Sequence, residues 1–361
     1  LTSVIHIDPP NARDLGMGAA VLSAGGGSFP YLELLALLEQ LSQAPPVKLV
    51  AADCVSDTAR IALVAMMGAP LPMFERFADP QHFARPVRVL ARHLKSEFDY
   101  VMGYEIGSMN ALIPVMVAAE LGLPLIDADT LGRSFPEIQM SALSIEGVDM
   151  TPLAVSDIRA NDIVLDHAAN GAWVERLLRP LATACGSILA MAGSHTGAQI
   201  KTCAHHGTYS RAMRIGKAIR EAQTAHQDPV DALLRHERGH IVLRGKIVDI
   251  ERRADDGFVR GRALIRPEGG GDPGVVHFQN EYSLVEHNGR HVAMVPDLIA
   301  LLGSERGEPL GTEALRYGQY VSVLRLPPMP RHLTPKALAV LGPRSFGYDF
   351  DYMTQDMETR S

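Results

Sequence analysis

Apolar positions recur with two different periods along this chain, and the change falls beyond its middle. In residues 31–41 leucines stand at 32, 34, 35, 37, 38 and 41, which predicts a helix, with Ser28 as a candidate cap and Pro30 near its first turn. Short apolar runs at 47–52, 100–104 and 123–126 end in acidic residues, Asp53, Glu105, and the pair Asp127 and Asp129. They read as buried strands, and the helical stretch 108–121 lies between two of them. That alternation predicts a mainly parallel sheet with crossover helices, an α/β domain of three layers.

Beyond Pro152 the order is strand-like 163–165, helical 173–184 and strand-like 187–192. A polar stretch follows, and then a helix starting at Thr208 or Ser210 with Ala212, Ile215, Ala218 and Ile219 on one face. From His240 onward the period is two. Runs at 241–252 and 258–265 flank Asp255-Asp256-Gly257, and runs at 282–286 and 291–295 flank Asn288-Gly289, so two hairpins are expected. Further strands are expected at 275–279 and 320–326. The reading divides the chain into an α/β domain over 1–165, carrying a glycine-rich loop and an acidic site, and a C-terminal α+β domain over 166–361 with a β-barrel core at about 240–330. Whether 166–239 pack with the first part or the second is left open.

Length supports two parts, because 361 residues exceed what one core usually serves, and 47% of them are hydrophobic. With 41 acidic against 34 basic residues the formal charge is −7, which gives nucleic acid no purchase. The apolar stretch 111–126 is broken by Pro114, Glu120 and Pro124, so no membrane span is expected. Cys54, Cys185 and Cys203 are too scattered for a disulfide framework, and the first residues lack a basic segment followed by an apolar one. A cytoplasmic protein is expected.

Chemistry-bearing residues gather in three places. Gly25, Gly26 and Gly27 precede a helix, where backbone N–H groups can face an anion or carbonyl oxygen; an ordinary turn is the alternative. These glycines and Asn110 are the candidate substrate contacts. Asp53, Glu105, Asp127 and Asp129 fall at the carboxyl ends of strands, where ligands bind in open α/β sheets, although each acid also suits a helix cap. The loop after them adds Arg133 and Glu137, and Asp127 with Asp129 at i and i+2 suits a cation, an acid–base pair or an arginine clamp. Asp127, Asp129, Glu105, Arg133 and Glu137 are the candidate catalytic set. Cys203, His205 and His206 offer thiolate and imidazole to a divalent metal such as zinc, without a recognised spacing; solvated histidines and an inert cysteine are the other reading. No nucleotide cofactor is expected, because no phosphate-binding motif follows the glycines.

Several segments together resemble a family long catalogued as a domain of unknown function and associated with hydantoin utilisation, the S-methyl-thiohydantoin desulfurase-like family. They include 16–22 running into the glycine loop, 121–124 running through Asp127, Asp129, Gly132, Arg133, Phe135, Pro136 and Glu137, then 245–249, Gln279-Asn280-Glu281, 295–299, 315–318 and Gly342-Pro343-Arg344. The resemblance covers nearly the whole chain. It implies an N-terminal three-layer α/β domain and a C-terminal domain containing a β-barrel. Relatives commonly carry an aspartate in the loop that here reads Gly25-Gly26-Gly27-Ser28-Phe29-Pro30; if that acid serves chemistry in them, the resemblance implies a different substrate or activity here.

Two functions follow. One is a hydrolase that removes a thiol from a small cyclic amide, an S-methyl thiohydantoin or related hydantoin, with water activated by carboxylates and, in one version, a metal. The other is a non-catalytic binding or accessory subunit of a hydantoinase-type complex, so the expected partners are a small molecule and either a further copy of the chain or that complex.

Overall fold

The computed structural model of the chain describes residues 5–68, 79–255 and 258–354. The first sheet is built from β1 (Ile5–Ile7), β2 (Val47–Ala51), β3 (Arg60–Gly68), β4 (Tyr100–Gly103), β5 (Leu125–Asp129), β6 (Leu153–Ser156), β7 (Asp162–Leu165), β8 (Ile188–Thr196) and β9 (His205–His206). Its order is β1-β2-β5-β4-β3-β8-β6-β7, with β9 added to β5. The centre, β2-β5-β4-β3, is parallel, while β1, β8, β6, β7 and β9 join antiparallel.

Strand β3 shows why this sheet needs a helical layer on each face. Its sequence is apolar almost throughout, and alternate residues enter two separate cores. Ala62, Val64 and Met66 pack with α1 (Pro9–Leu22), α2 (Tyr31–Gln43), α3 (Pro80–Leu94) and α4 (Met109–Leu121). Ile61, Leu63, Ala65 and Met67 pack on the other side with α5 (Ala142–Ile145), α6 (Gly171–Ala184) and α7 (Gly197–Cys203). The expected three-layer α/β arrangement is therefore present. The stretch 166–239 belongs largely with it: β8 lies between β3 and β6, and α8 (Thr208–Thr224) packs along α1 with α9 (Pro229–His236) beside it.

The α1–α8 contact is close enough to exclude side chains. A Cβ on Gly18 would lie 1.8 Å from the carbonyl oxygen of Ala212, and one on Gly216 would lie 1.8 Å from that of Asp14. Gly18→Ala is therefore expected to force the helices apart and to cost about 3 kcal/mol, at the upper end of overpacking penalties. A fall in the urea midpoint at unchanged slope is the readout; an unchanged midpoint would show that this seam yields freely.

The second sheet contains β10 (His240–Asp255), β11 (Phe258–Pro267), β12 (Gly274–Gln279), β13 (Glu281–His287), β14 (Arg290–Met294), β15 (Leu298–Gly303), β16 (Pro309–Leu310) and β17 (Tyr320–Leu326). All its pairs are antiparallel, in the order β14-β13-β12-β11-β10-β17-β15-β16. Both expected hairpins pair. Asn288 and Gly289 have φ of 51° and 70°, as a two-residue turn with both φ positive requires, whereas Asp256 and Gly257 of the other turn lie outside the described residues. The expected barrel is not closed: among the described residues the path runs open from β14 to β16, because no pair joins those two edges. A short helix, α10 (Pro335–Leu341), returns the chain to the first sheet's second core.

Candidate active site

The two sheets meet at the glycine loop. Helix α1 is capped by Ser23, whose hydroxyl oxygen lies 2.7 Å from the carbonyl of Ala20 and 2.6 Å from that of Gly27, within reach to donate to either, and so curls the loop back on itself. The loop is then tied to the second sheet: Tyr282 N donates to Ala24 O, Thr312 N to Gly25 O and Gly311 N to the Ser28 hydroxyl, while Ser28 N donates to Glu313. Glycine is needed at 25 and 26 because a Cβ on Gly25 would lie 2.6 Å from the Tyr282 ring and one on Gly26 would lie 2.5 Å from Glu281 Oε1. The loop is thus the seam between the two parts.

Beside that seam opens a cavity of about 220 Å³. Its first-sheet wall comes from the end of β3, the loop after β4 with Tyr104 and Glu105, Asn110, residues 134–138, and Glu175 and Arg179 of α6; the second sheet closes it with Val259, Asn280, Glu281, Thr312 and Glu313. Met66, Met67, Met109, Met191 and Phe135 make one side apolar and polarisable.

Glu105 is held by a short relay. Asn110 Nδ2 donates to Glu105 Oε1 (2.7 Å) and to the carbonyl of Met66 (3.2 Å), while Asn110 Oδ1 accepts from Met66 N (2.7 Å). Helix α4 and strand β3 thereby fix one carboxyl oxygen. Burial pushes Glu105 up to about 7, against hydrogen bonds from Asn110 and Ser134 that favour the charged form. Burial, and then the neighbouring charge of Glu105, push Glu281 up to about 8, while Arg133 pulls the other way. Glu281 is 6% exposed, and its Oε2 has no hydrogen-bond partner among the described residues. Both carboxyls face one cavity; Glu281 feels the charge of Glu105, while the acid charge that helps to raise Glu105 is that of Asp129. Glu137 also lines the cavity, raised by burial and by Glu175.

The remaining acids of the candidate catalytic set stand elsewhere. Asp129 Oδ2 accepts three backbone N–H groups, from Ile106 (3.1 Å), Leu131 (3.0 Å) and Gly132 (2.8 Å). It stitches the loop after β4 to the loop after β5 and does not line the cavity; burial raises it to about 7. Asp127 accepts from the backbone N–H and hydroxyl of Ser210, in the first turn of α8. Asp53 is exposed and lies 3.5 Å from His206. Of the four acids that end strands, Glu105 is thus the one placed on this cavity. Arg133 is fully buried behind the wall, with its guanidinium 4.7 Å from the Phe135 ring centre, and donates to the carbonyls of Ser134, Tyr282 and Asp297. Of the candidate substrate contacts, Gly26 and Asn110 line the cavity, whereas Gly25 and Gly27 pack behind it against Tyr282 and Ser108.

Of the candidate metal ligands, Cys203 and His205 line one small pocket with His332, and His206 does not join them. Cys203 and His205 are buried, with the His205 ring edge-on to His332 at 4.7 Å, while His206 turns toward Asp53. Among the described residues no group of three or more His, Cys, Asp or Glu is placed to hold a metal ion. These residues do not fit the role of a joint metal site, and no chemical step is derived through one.

Glu281, Glu175 and Arg179 were not legible as site residues. Glu281 lay within the family landmark Gln279-Asn280-Glu281, whose role only the meeting of the two sheets reveals. Glu175 accepts from Arg179 Nε (2.6 Å) and from Ile138 N (3.0 Å), and Arg179 reaches the carbonyl of Pro136, so α6 braces the loop that carries Glu137.

A model of the S-Me-THD-like N-terminal domain matches residues 11–167, and one of the S-Me-THD-like C-terminal domain matches 169–354. A crystal structure of a protein from Chromobacterium violaceum is similar over 97% of this chain and 99% of that one, with a TM-score of 0.83 at 20% identity, which shows a shared fold. No curated protein matches the chain. No described helix is long and apolar enough to cross a membrane.

Proposed function

Since this chain belongs to the S-Me-THD-like family, we propose that it hydrolyses a small cyclic amide of the S-methyl thiohydantoin class, releasing a thiol and leaving a hydantoin. The observation that carries this reading is the pair of carboxyls, half-buried Glu105 and buried Glu281, on one cavity between the sheets. Around neutral pH such a pair holds about one proton, so a base and an acid face the same substrate.

The chemistry balances within that pair. Glu105 takes a proton from water as its oxygen bonds to the ring carbon bearing sulfur, and Glu281 gives its proton to the ring nitrogen doubly bonded to that carbon. The new hydroxyl then returns its proton to Glu281 as the carbonyl forms and the carbon–sulfur bond breaks. Sulfur leaves as a thiol with the proton from Glu105, which restores the starting state. The methionine side of the cavity suits the ring and its S-alkyl group, since thioether sulfur is polarisable and adapts to shape.

The test is thiol release from S-methyl thiohydantoins, followed against pH with and without chelator. Equal amounts of methanethiol and hydantoin are expected, with a rate that falls on the acid side of about 7 as the base is protonated and on the alkaline side of about 8 as the acid ionises. A folded protein that releases no thiol from any S-alkyl thiohydantoin would sink this reading and bring the binding-subunit reading forward.

A further inference from the structure

A second cavity, of about 560 Å³, lies on the second sheet and takes no part in the proposed reaction. Two rows of side chains cross β10, β11 and β12 there. In one row Glu251 pairs with Arg262, and Arg262 with His277; in the next, Arg253 pairs with Arg260, and Arg260 with Gln279. Directly opposed residues share a face of the sheet, so both rows project into this cavity.

The rows differ in how their charges are met. Arg262 makes a two-pronged ion pair with Glu251 (3.0 and 2.7 Å), and His277 bonds Glu286 at 2.8 Å. In the neighbouring row two arginines are directly paired, an arrangement that costs stability because like charges repel. Among the described residues the side chains of Arg253, Arg260 and Gln279 make no hydrogen bond or close ion pair, although Glu251 feels the charge of Arg253 and Tyr348 that of Arg260. The phenol of Tyr348, held at 2.8 Å from the Ser283 hydroxyl, walls the same cavity. In a chain of net charge −7, two guanidiniums and an amide set in line along a concave surface are an unmatched set of donors.

We propose that this cavity binds a small multivalent anion, a phosphate ester or a polycarboxylate, between Arg253 and Arg260, with Gln279 donating to a further oxygen. Planar guanidiniums suit such oxygens because each can donate two parallel hydrogen bonds. Strand spacing of about 4.8 Å sets the two arginines one anionic group apart. The Gln279-Asn280-Glu281 turn leads from this pocket to the first cavity, so bound anion lies one hairpin turn from Glu281.

Calorimetric titration of the full chain at low ionic strength with inorganic pyrophosphate, and separately with citrate, tests the proposal. Saturable binding of either is expected, pyrophosphate marking a phosphate site and citrate a carboxylate site. Binding should weaken about tenfold for each guanidinium lost in Arg253→Gln and Arg260→Gln. The control Arg88→Gln, on α3 at an exposed ion pair with Glu120 and away from this sheet, should leave affinity nearly unchanged. Because these side chains are exposed, circular dichroism is expected to show every variant folded. Absence of saturable binding to the parent chain, or equal affinity in the double variant lacking Arg253 and Arg260, would overturn it.

Discussion

Glu281→Gln is expected to abolish most thiol release while making the protein more stable at alkaline pH. The activity loss should be on the order of 10²–10⁴-fold, the usual worth of a positioned acid or base, and Glu105→Gln should match it. The gain in stability follows from linkage. Glu281 is lifted from 4.5 to about 8 by burial, so the folded state binds a proton that the unfolded chain has already released. Stability from this group is fully present below 4.5, falls as pH rises toward about 8, and is flat beyond. Glutamine removes the charge and hence that loss, so at pH 9 the variant should exceed the parent by about 2–4 kcal/mol, and at pH 4 by little. Urea titrations at both pH values alongside the thiol assay give the answer. A variant that is less stable at both would mean that Glu281 is a structural carboxylate, not one held under tension for use.

Asp129 separates scaffold from chemistry in a different way. Asp129→Ala removes one acceptor from three buried N–H groups and should cost more than about 3 kcal/mol, since each orphaned donor carries its own desolvation penalty. Asp129→Asn keeps an oxygen in the same place and resembles the protonated acid that burial already favours. It should therefore fold and retain thiol release within about tenfold of the parent, well short of the loss expected for a positioned base. If the asparagine variant folds normally yet loses activity as completely as Glu105→Gln, Asp129 rather than the pair on the cavity would be the working base.

These two residues also show how far the sequence could be read. Asp129 and Glu105 look alike along the chain, each an acid closing a short apolar strand. One is consumed by the backbone of two loops, while the other is turned into a cavity by Asn110. Period and polarity locate strand ends, but they do not say which N–H groups will close around an oxygen. The glycine loop was legible as a place of close approach, though what approaches is Tyr282 and Glu281 from more than 250 residues away.

What the sequence determined by itself is the local and periodic part of the protein. The Asn288-Gly289 hairpin was bound to turn because both residues accept positive φ, and the early alternation required parallel strands with helices between them, although the central strand β3 was not among the runs read as strands. The family landmarks added which segments belong together. Only the tertiary structure decided that β8 enters the first sheet, that the second sheet stays open among the described residues, and that Glu281 and Glu105 share one cavity. The reason is physical: side-chain period is a property of neighbours along the chain, whereas burial, unpartnered oxygens and raised carboxyl pKa values arise from surfaces that meet only when the two sheets dock.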